Sequence, residues 1–434
     1  MGGKSGVLAK TFFIYLTLFV LFGGLYFGWG IALGKAGGYE YVNALLNADH
    51  KRVVRDLTVV AGDHDRTDAH PLFVLLLNPV GVLLSGGFGS RLVAAVAMNS
   101  AAGAACVVLT CAFFRRAGFG WLFAVLYAAI LGLSSTHIFF GATPETWIFA
   151  ALGIILLYFL AAVTPGRTSA FVPAAVFAAG MATTNLVPAA LAFAAGIYKR
   201  ASLKAVLIKT IVFGLVVTGC VAVLSVAQKL LYPRSTVFFL PEVYRYEFST
   251  YSPIVKYFGG LELNYLWARL RAVAGVLFLY NVVAPQAVVR WYSAGEFCLP
   301  LKPFVDVDFA RFGPVGFIAA AFWLGLIIWA AYSFIRHKEN RTPVLIGLLL
   351  TLAFNVAFYF FYGTTLYVYA ISTAFPLLAS AALALRPYGR PGTKAFYVLA
   401  GALTCFLVLE LANNLRFLYQ ILGAFRDYPF PLTP

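Results

Sequence analysis

Long apolar runs alternate with short polar connections along most of the 434-residue chain. An α-helix of about 20 apolar residues can cross the hydrocarbon core of a bilayer, so each run of this length predicts a transmembrane helix. The runs that meet this criterion are 11–33, 92–114, 119–140, 145–163, 206–231, 314–335, 342–361, 367–385 and 395–411. The pattern therefore predicts an all-α polytopic membrane protein.

Three further apolar segments are interrupted by polar residues or prolines. Segment 170–198 is broken near TTNLVP and predicts two shorter helices, whose free backbone groups must be satisfied by protein or water. Segments Pro71–Gly87 and Arg271–Val289 carry internal Asn and Pro residues. If both dip into the membrane and return, the basic loops stay on one side and the chain makes 11 crossings; if both cross, it makes 13.

The composition supports a membrane protein. Hydrophobic residues make up 62% of the chain and charged residues only 11%, whereas about a quarter of a soluble domain is charged. The net charge of +16 comes from Lys and Arg in short loops such as IYKRASLK and FIRHKENRTP, which is the pattern of cytoplasmic loops. Some of these basic residues are expected to contact anionic membrane lipids. The sequence shows no segment of interleaved basic and aromatic residues, so it does not indicate a nucleic-acid partner.

Residues 1–434 are predicted to form a single integral-membrane domain. Lys4 and Lys10 predict a cytoplasmic N-terminus, with 11–33 as a retained signal anchor. The outer side then holds the first loop 34–71, the loops and re-entrant or interfacial segment of 232–313, and the tail 412–434. The cytoplasmic loops are short and contain no nucleotide-binding motif, so any chemistry is expected to face outward.

The first outer loop, 34–71, is rich in ionisable residues. It holds six of the sixteen acids and three of the five histidines of the chain. The stretch AGDHDRTDAHPLF leads back toward the membrane, where a carboxylate can take a proton from an acceptor hydroxyl and an arginine can stabilise a departing phosphate. The candidates in this loop are Asp56, Asp63, His64, Asp65, Arg66, Asp68 and His70. The alternative interpretation is a solvated loop whose charges keep it out of the bilayer.

Other candidates lie outside that stretch. Asp63 and Asp65 form a DxD-like pattern, and such carboxylates could hold a divalent ion such as Mg²⁺ or Mn²⁺. Glu145 follows Pro144 between two predicted spans; an acid at the membrane interface is costly and therefore a functional candidate, although a helix N-terminus also favours a carboxylate. Further candidate substrate contacts are Asn185, Arg245, Lys256, Tyr367 and Tyr369. The tyrosines could instead anchor helices at the interface.

This layout resembles the GT-C superfamily of integral-membrane glycosyltransferases. The resemblance rests on a first span followed by an outer loop with an aspartate, on HPLF entering the membrane, on the outer acid in ATPETW, on the broken pair around TTNLVP, and on LYVYAISTAFPLLA. Such enzymes take a sugar from a polyprenyl-phosphate carrier. The resemblance therefore implies a lipid-linked sugar donor and a glycan, lipid or protein acceptor in a cell envelope, with the protein in a bacterial inner membrane.

The same resemblance implies roles for the candidates. Asp63 would be the general base on the acceptor hydroxyl, with Asp56, Asp65 and Asp68 as contenders. Arg66 and His70 would orient the acid or contact the carrier phosphate, and Glu145 would be a second acid lining the cavity. A single displacement would invert the anomeric configuration. The alternative function is a transporter or flippase of a lipid-linked or small polar substrate, which would line a path near the bilayer midplane with polar residues.

Overall fold

The computed structural model describes residues 2–40, 45–253, 262–292, 302–308 and 312–427. These residues form sixteen α-helices and one antiparallel two-stranded ribbon, which confirms the predicted all-α membrane class. The first eight helices are α1 Gly2–Lys35, α2 His50–Thr58, α3 Phe73–Phe88, α4 Arg91–Arg116, α5 Trp121–Leu133, α6 Ser135–Ala142, α7 Trp147–Val163 and α8 Thr168–Met181. They are followed by α9 Leu186–Ile197, α10 Leu203–Leu231, α11 Pro241–Tyr251, α12 Leu263–Gly275, β1 Gln286–Tyr292, β2 Lys302–Asp308, α13 Pro314–Arg336, α14 Pro343–Phe361, α15 Leu366–Leu385 and α16 Lys394–Asp427.

Seven of the described helices are long and apolar enough to cross a membrane, namely α1, α4, α10, α13, α14, α15 and α16. Helices α5 and α6 together make an eighth candidate span, bent by 63°. The protein is therefore a multi-pass integral membrane protein. The predicted 11 crossings would also require α7, α8 and α9, which have 17, 14 and 12 residues.

The predicted span 119–140 is broken at Ser134 rather than continuous. The first amides of α6 bond to another segment: Ser135 N–H donates to the carbonyl oxygen of Val282 at 2.9 Å, and Thr136 N–H to that of Asn281 at 3.2 Å. Asn414 of α16 donates through Nδ2 to the carbonyl oxygen of Leu133, at 2.8 Å. These partners satisfy the backbone groups that a break exposes, which is the condition for a broken helix in a membrane.

Two other segments differ from the sequence pattern. Helix α3 continues through Pro79 over 16 residues, although Pro79 was expected to interrupt it. Helix α16 runs to Asp427, so the predicted tail 412–434 begins as helix. The reason is packing, because Phe417, Leu418 and Ile421 are buried in the core.

Helix α2, in the first loop, lies directly on α3. The close approach depends on Gly81, where a Cβ atom would lie 2.1 Å from the carbonyl oxygen of Leu57. Asn78 of α3 adds hydrogen bonds through Nδ2 to the carbonyl oxygens of Asp56 and Val59, at 2.8 and 3.1 Å. These contacts cap the C-terminal end of α2 and hold the charged loop against the bundle.

Candidate active site

Two neighbouring cavities lie at the end of the bundle that carries the first loop. The acidic cavity, of about 130 Å³, is lined mainly by polar and aromatic residues, including Asn47, Asp49, Arg52, Arg66, His70, Glu145, Trp147, Tyr251 and Tyr369. The apolar cavity, of about 310 Å³, is lined by residues that include Arg66, Asp68, Trp147, Leu186, Val187, Phe248, Phe354 and Phe358. Arg66 and Trp147 line both cavities, so the two meet at these side chains.

The turn between α6 and α7 is fixed by side chains from elsewhere in the chain. Asn99 of α4 donates through Nδ2 to the carbonyl oxygens of Thr143 and Glu145, at 2.9 and 2.8 Å. The hydroxyl of Tyr39 donates to the carbonyl oxygen of Ala142 at 3.1 Å. The C-terminal end of α6 leaves the carbonyl groups of Ala142 and Thr143 without helical amide partners. Their satisfaction here holds Glu145 in one place at the cavity wall.

Asp49 and Glu145 meet at the acidic cavity although 96 residues separate them in sequence. The backbone N–H of Asp49, just before α2, donates to Glu145 Oε2 at 2.9 Å. The Asp49 carboxylate pairs with Arg52 at 3.3 Å and keeps 36% of its side-chain surface exposed, whereas Glu145 is only 1% exposed. Asp49 is therefore the accessible acid, and Glu145 is the buried acid that positions it.

A hydrogen-bond chain connects Glu145 to His70. His70 Nδ1 lies 2.6 Å from the carbonyl oxygen of Met181, which can only accept, so Nδ1 carries the proton of the neutral ring. Burial lowers the pKa of His70 well below 6.5, which keeps the ring neutral. The Thr146 hydroxyl lies 3.3 Å from His70 Nε2 and 3.2 Å from Glu145 Oε1.

The Thr146 hydroxyl has one proton and can donate to only one of these partners. If it donates to His70, a protonated Glu145 can donate to Thr146 and every member of the chain is satisfied. If Glu145 is ionised, Thr146 donates to it and His70 Nε2 loses its donor. Burial, and then the nearby Asp49 carboxylate, raise the pKa of Glu145 from 4.5 to about 7. The chain thus favours a protonated Glu145.

This shift predicts a pH-dependent stability that Glu145→Gln removes. A folded-state pKa above the unfolded value means that the group's contribution is fully present below about pH 4.5 and is lost as the pH rises through about 7. We expect the melting temperature of the wild-type protein to fall between pH 5 and pH 8, and Glu145→Gln, which mimics the protonated acid, to flatten that fall. Thermal unfolding in one detergent across this range measures the effect. The control, Glu40→Gln, changes an exposed acid; an identical slope in all three proteins would contradict the assignment.

Arg66 lies at the junction of the two cavities. Its Nη2 atom is 3.3 Å from Glu247 Oε2, and its guanidinium carbon lies 4.5 Å from the centroid of the Tyr251 ring. Its backbone has φ of +62°, in the left-handed region that costs an L-residue about 1–2 kcal/mol. Strain of this kind concentrates at functional sites. The planar guanidinium, with five N–H donors, suits recognition of a phosphate at this junction.

Glu247 forms the ion pair with Arg66. It lies on α11 and accepts a hydrogen bond from the Tyr362 hydroxyl at 2.6 Å. Burial raises the pKa of Glu247 above 4.5. Asp68, which lines the apolar cavity beside Glu247, also raises the pKa of Glu247 through its negative charge. Glu247 can therefore accept a proton when an incoming anion competes for Arg66.

Asp63 and Asp65 lie on the protein surface and line neither cavity. Asp63 is 62% exposed and pairs with Arg234 at 3.1 Å, and Asp65 is 63% exposed and pairs with Arg55 at 2.7 Å. Each carboxylate therefore forms an exposed ion pair with a different arginine. Within the described ranges, no group of three or more His, Cys, Asp or Glu residues is arranged to hold a metal.

Several other predicted candidates contact the protein itself. The buried Asp56 carboxylate pairs with Arg52 at 3.0 Å and lies 3.2 Å from His64 Nδ1. Asn185 donates through Nδ2 to the carbonyl oxygens of Ala150 and Ala178. Tyr367 is buried and shares a hydrogen bond with Ser135. Arg245 is exposed on α11, and Lys256 lies outside the described residues. Of the predicted set, Arg66, His70, Glu145 and Tyr369 line the acidic cavity, and Arg66 and Asp68 line the apolar one.

Five residues that line these cavities were not among the candidates predicted from the sequence: Asp49, Arg52, Trp147, Tyr251 and Glu247. Asp49 was one of six acids in the first loop, and nothing in their spacing indicates which one meets Glu145. One feature of the sequence could have indicated Asp49: it stands directly before α2, and aspartate is common at the position that precedes a helix. Trp147 lies two residues after Glu145, in the ATPETW stretch, and could have been paired with Glu145 on that ground.

No protein-family model matches the chain, and no curated protein sequence is significantly similar to it. The side chains of the two cavities, rather than similarity to a known protein, therefore indicate what this protein does.

Proposed function

We propose that this protein is a membrane glycosyltransferase that moves a sugar from a polyprenyl-phosphate carrier to the hydroxyl group of an acceptor. The observation that carries the proposal is the junction at Arg66 and Trp147, where a polar cavity with two acids meets a cavity with apolar walls. A lipid-linked sugar presents the matching order of groups: an apolar chain, a phosphate and a polar ring.

The apolar cavity suits the first units of a polyprenyl chain. Leu186, Val187, Phe354 and Phe358 contribute apolar wall around a space of about 310 Å³. Burial of an apolar chain against such walls is favourable in proportion to the area removed from water. The phosphate that follows the chain would then lie beside Arg66, and the sugar would enter the acidic cavity.

The acidic cavity suits a sugar ring and an acceptor hydroxyl. Trp147, Tyr251 and Tyr369 give it aromatic surfaces, and Asn47 and Asp49 give it hydrogen-bonding groups. Asp49 is the general base in this proposal, because it is the accessible acid, and Glu145 is a positioning residue. General-base catalysis by a placed carboxylate contributes roughly 10²- to 10⁴-fold in rate.

The proposed reaction is a single displacement. The acceptor hydroxyl gives its proton to the Asp49 carboxylate as its oxygen bonds to the anomeric carbon. The bond between that carbon and the phosphate oxygen breaks, and its electron pair leaves with the polyprenyl phosphate. Arg66 stabilises the charge that develops on the leaving phosphate. The anomeric configuration inverts, because attack and departure take place on opposite faces of the sugar.

The membrane orientation is part of the proposal. Helix α1 carries Lys10 near its beginning, and Arg115 and Arg116 end α4 at that same end of the bundle, where Arg115 and Tyr15 both contact Trp121. Basic loops are retained in the cytoplasm. The acidic cavity, at the other end, would then face the outside of a bacterial inner membrane, where envelope glycans, lipids or proteins are the available acceptors.

Release of polyprenyl phosphate tests the proposal directly. The purified full-length protein in lipid nanodiscs would be offered a panel of polyprenyl-phosphate sugars with an envelope extract as acceptor. We expect release of free polyprenyl phosphate with at least one donor. When nucleotide sugars replace the lipid-linked panel, we expect no transfer of sugar to the acceptor. If no donor gave release, and cooperative unfolding showed that the protein was folded, the proposal of a glycosyltransferase would be rejected. Movement of the intact lipid-linked sugar between leaflets of a vesicle would then indicate a flippase.

A further inference from the structure

A third cavity, here called the basic cavity, lies far from the acidic site. It is an open cleft of about 490 Å³ between the ends of α4, α7, α9, α14 and α15. Two helices run from one cavity to the other and give the distance between them. Helix α7 has Trp147 at the acidic cavity and Ala161 at the basic cavity. Helix α15 likewise has Tyr369 at the acidic cavity and Leu383 at the basic cavity. At 1.5 Å per residue, each pair is separated by about 21 Å along its helix.

Four cationic side chains line the basic cavity, and none of its lining residues is acidic. The four come from three separate segments: Arg116 ends α4, Lys199 and Arg200 follow α9, and Arg386 follows α15. Over the part of the chain that the structure describes, none of the four forms an ion pair. Like charges around one space repel each other, so a bound anion would stabilise the arrangement.

The backbone leaves room for these side chains. Gly118 has φ of +89°, and a Cβ atom there would lie 2.8 Å from Arg386 Nη2. The guanidinium of Arg386 therefore rests against the turn between α4 and α5. A Cβ atom on Gly166, whose φ is +82°, would lie 3.8 Å from Arg200 Cδ, in the turn between α7 and α8. Glycine at position 118 thus leaves room for the Arg386 guanidinium, and the Gly166 turn lies in ordinary contact with Arg200.

The inner wall of the basic cavity is apolar. Phe113, Ala161, Val344 and Leu383 lie below the cations. A fourth cavity, of about 240 Å³ and almost wholly apolar in its lining, also has α14 and α15 as walls. Its lining includes Leu345 and Ala384, which follow Val344 and Leu383 along these helices. Cations at the end of membrane helices, above apolar surface, match the headgroup and chains of an anionic lipid.

We propose that the basic cavity binds the phosphate-bearing headgroup of an anionic membrane lipid. The phosphate would contact Arg116, Arg200 and Arg386, and an acyl chain would follow the apolar surface of α14 and α15. The general distribution of basic loops explains why positive charge is present at this end of the bundle. It does not require four cations from three segments to surround one space that contains no acid. The proposal is independent of the chemistry at the acidic cavity.

Lipid binding by the delipidated full-length protein tests this site. The probes are phosphatidic acid, phosphatidylglycerol, phosphatidylcholine and soluble inorganic pyrophosphate, each titrated in detergent and followed by native mass spectrometry and thermal shift. We expect phosphatidic acid and phosphatidylglycerol to bind, with at least tenfold weaker binding to the triple variant Arg116→Gln, Arg200→Gln, Arg386→Gln. Phosphatidylcholine should show no difference between the wild-type protein and this variant.

A matched triple variant separates a built site from diffuse surface charge. Lys204→Gln, Arg390→Gln and Lys394→Gln remove three cations from the same end of the bundle. They are exposed, as Arg116, Arg200 and Arg386 are, but they do not line the cavity. We expect this variant to bind phosphatidic acid within twofold of the wild-type protein. Equal weakening in the two triple variants, or no weakening in either, would overturn the site. Pyrophosphate binding that matches the lipids and depends on the same arginines would overturn the assignment to a lipid.

Discussion

Asp49→Asn is expected to lower the rate of sugar transfer by roughly 10²- to 10⁴-fold, because the amide cannot take the proton of the acceptor hydroxyl. The change keeps the shape of the side chain and leaves the backbone N–H that donates to Glu145 Oε2. The variant should therefore fold as the wild-type protein does and should bind the lipid-linked donor with similar affinity. The measurement is release of polyprenyl phosphate in nanodiscs at saturating donor, so that the effect appears in kcat.

Asp63→Asn is the matched control for this experiment. Both residues are aspartates of the first loop, and both pair with an arginine, but Asp63 is 62% exposed and lines neither cavity. We expect Asp63→Asn to change kcat by less than a factor of about three, since an exposed ion pair contributes little. If Asp63→Asn abolished transfer and Asp49→Asn did not, the base would be Asp63, as the superfamily resemblance implied, and the loop would have to rearrange on substrate binding.

Arg66→Gln is expected to weaken binding of the donor roughly ten- to hundredfold. Hydrogen bonds to a charged group contribute about 1.5–3 kcal/mol, and glutamine keeps one donor group without the charge. Arg66→Lys should give an intermediate loss, because lysine keeps the charge but not the planar fork of donors. Glu247, which retains its hydrogen bond from Tyr362, can take a proton when Arg66 is removed, so the variant is expected to fold. Binding of polyprenyl phosphate to detergent-solubilised protein measures the effect without turnover.

Arg234→Gln provides the comparison for Arg66→Gln. It removes the same charge from the same end of the protein, at a residue that is 66% exposed and paired with Asp63. We expect its donor affinity to stay within twofold of the wild-type value. Equal weakening by the two variants would show that general surface charge, rather than a phosphate site at the cavity junction, attracts the donor.

Much of the fold could be read from the long runs of apolar residues. Runs of about 20 apolar residues became the long helices, because an apolar stretch of that length in a bilayer can satisfy its backbone only as a helix. The pattern could not locate breaks and ends. The bend at Ser134 depends on carbonyl groups at Asn281 and Val282, and the extension of α16 to Asp427 depends on buried packing of Phe417 and Ile421.

The candidate site could be predicted only in part. The sequence indicated Arg66, His70 and Glu145, because charged residues beside membrane segments are costly and therefore conspicuous. It favoured Asp63 within the first loop, where six acids compete, and missed Asp49. The choice between them depends on where α2 lies. That is decided by Gly81, which allows α2 to approach α3, and by Glu145, which holds the first amide before α2.

The sequence by itself determined that this is an all-α membrane protein with much of its positive charge in short loops and six of its sixteen acids in the first loop. Those features follow from hydrophobicity and charge, which act residue by residue. Only the tertiary structure decided that Asp49 meets Glu145 across 96 residues, that Arg66 joins an acidic to an apolar cavity, and that four cations from three segments surround a third. These contacts depend on how distant helices pack against each other. The pattern of apolar runs along the chain does not show which helices become neighbours.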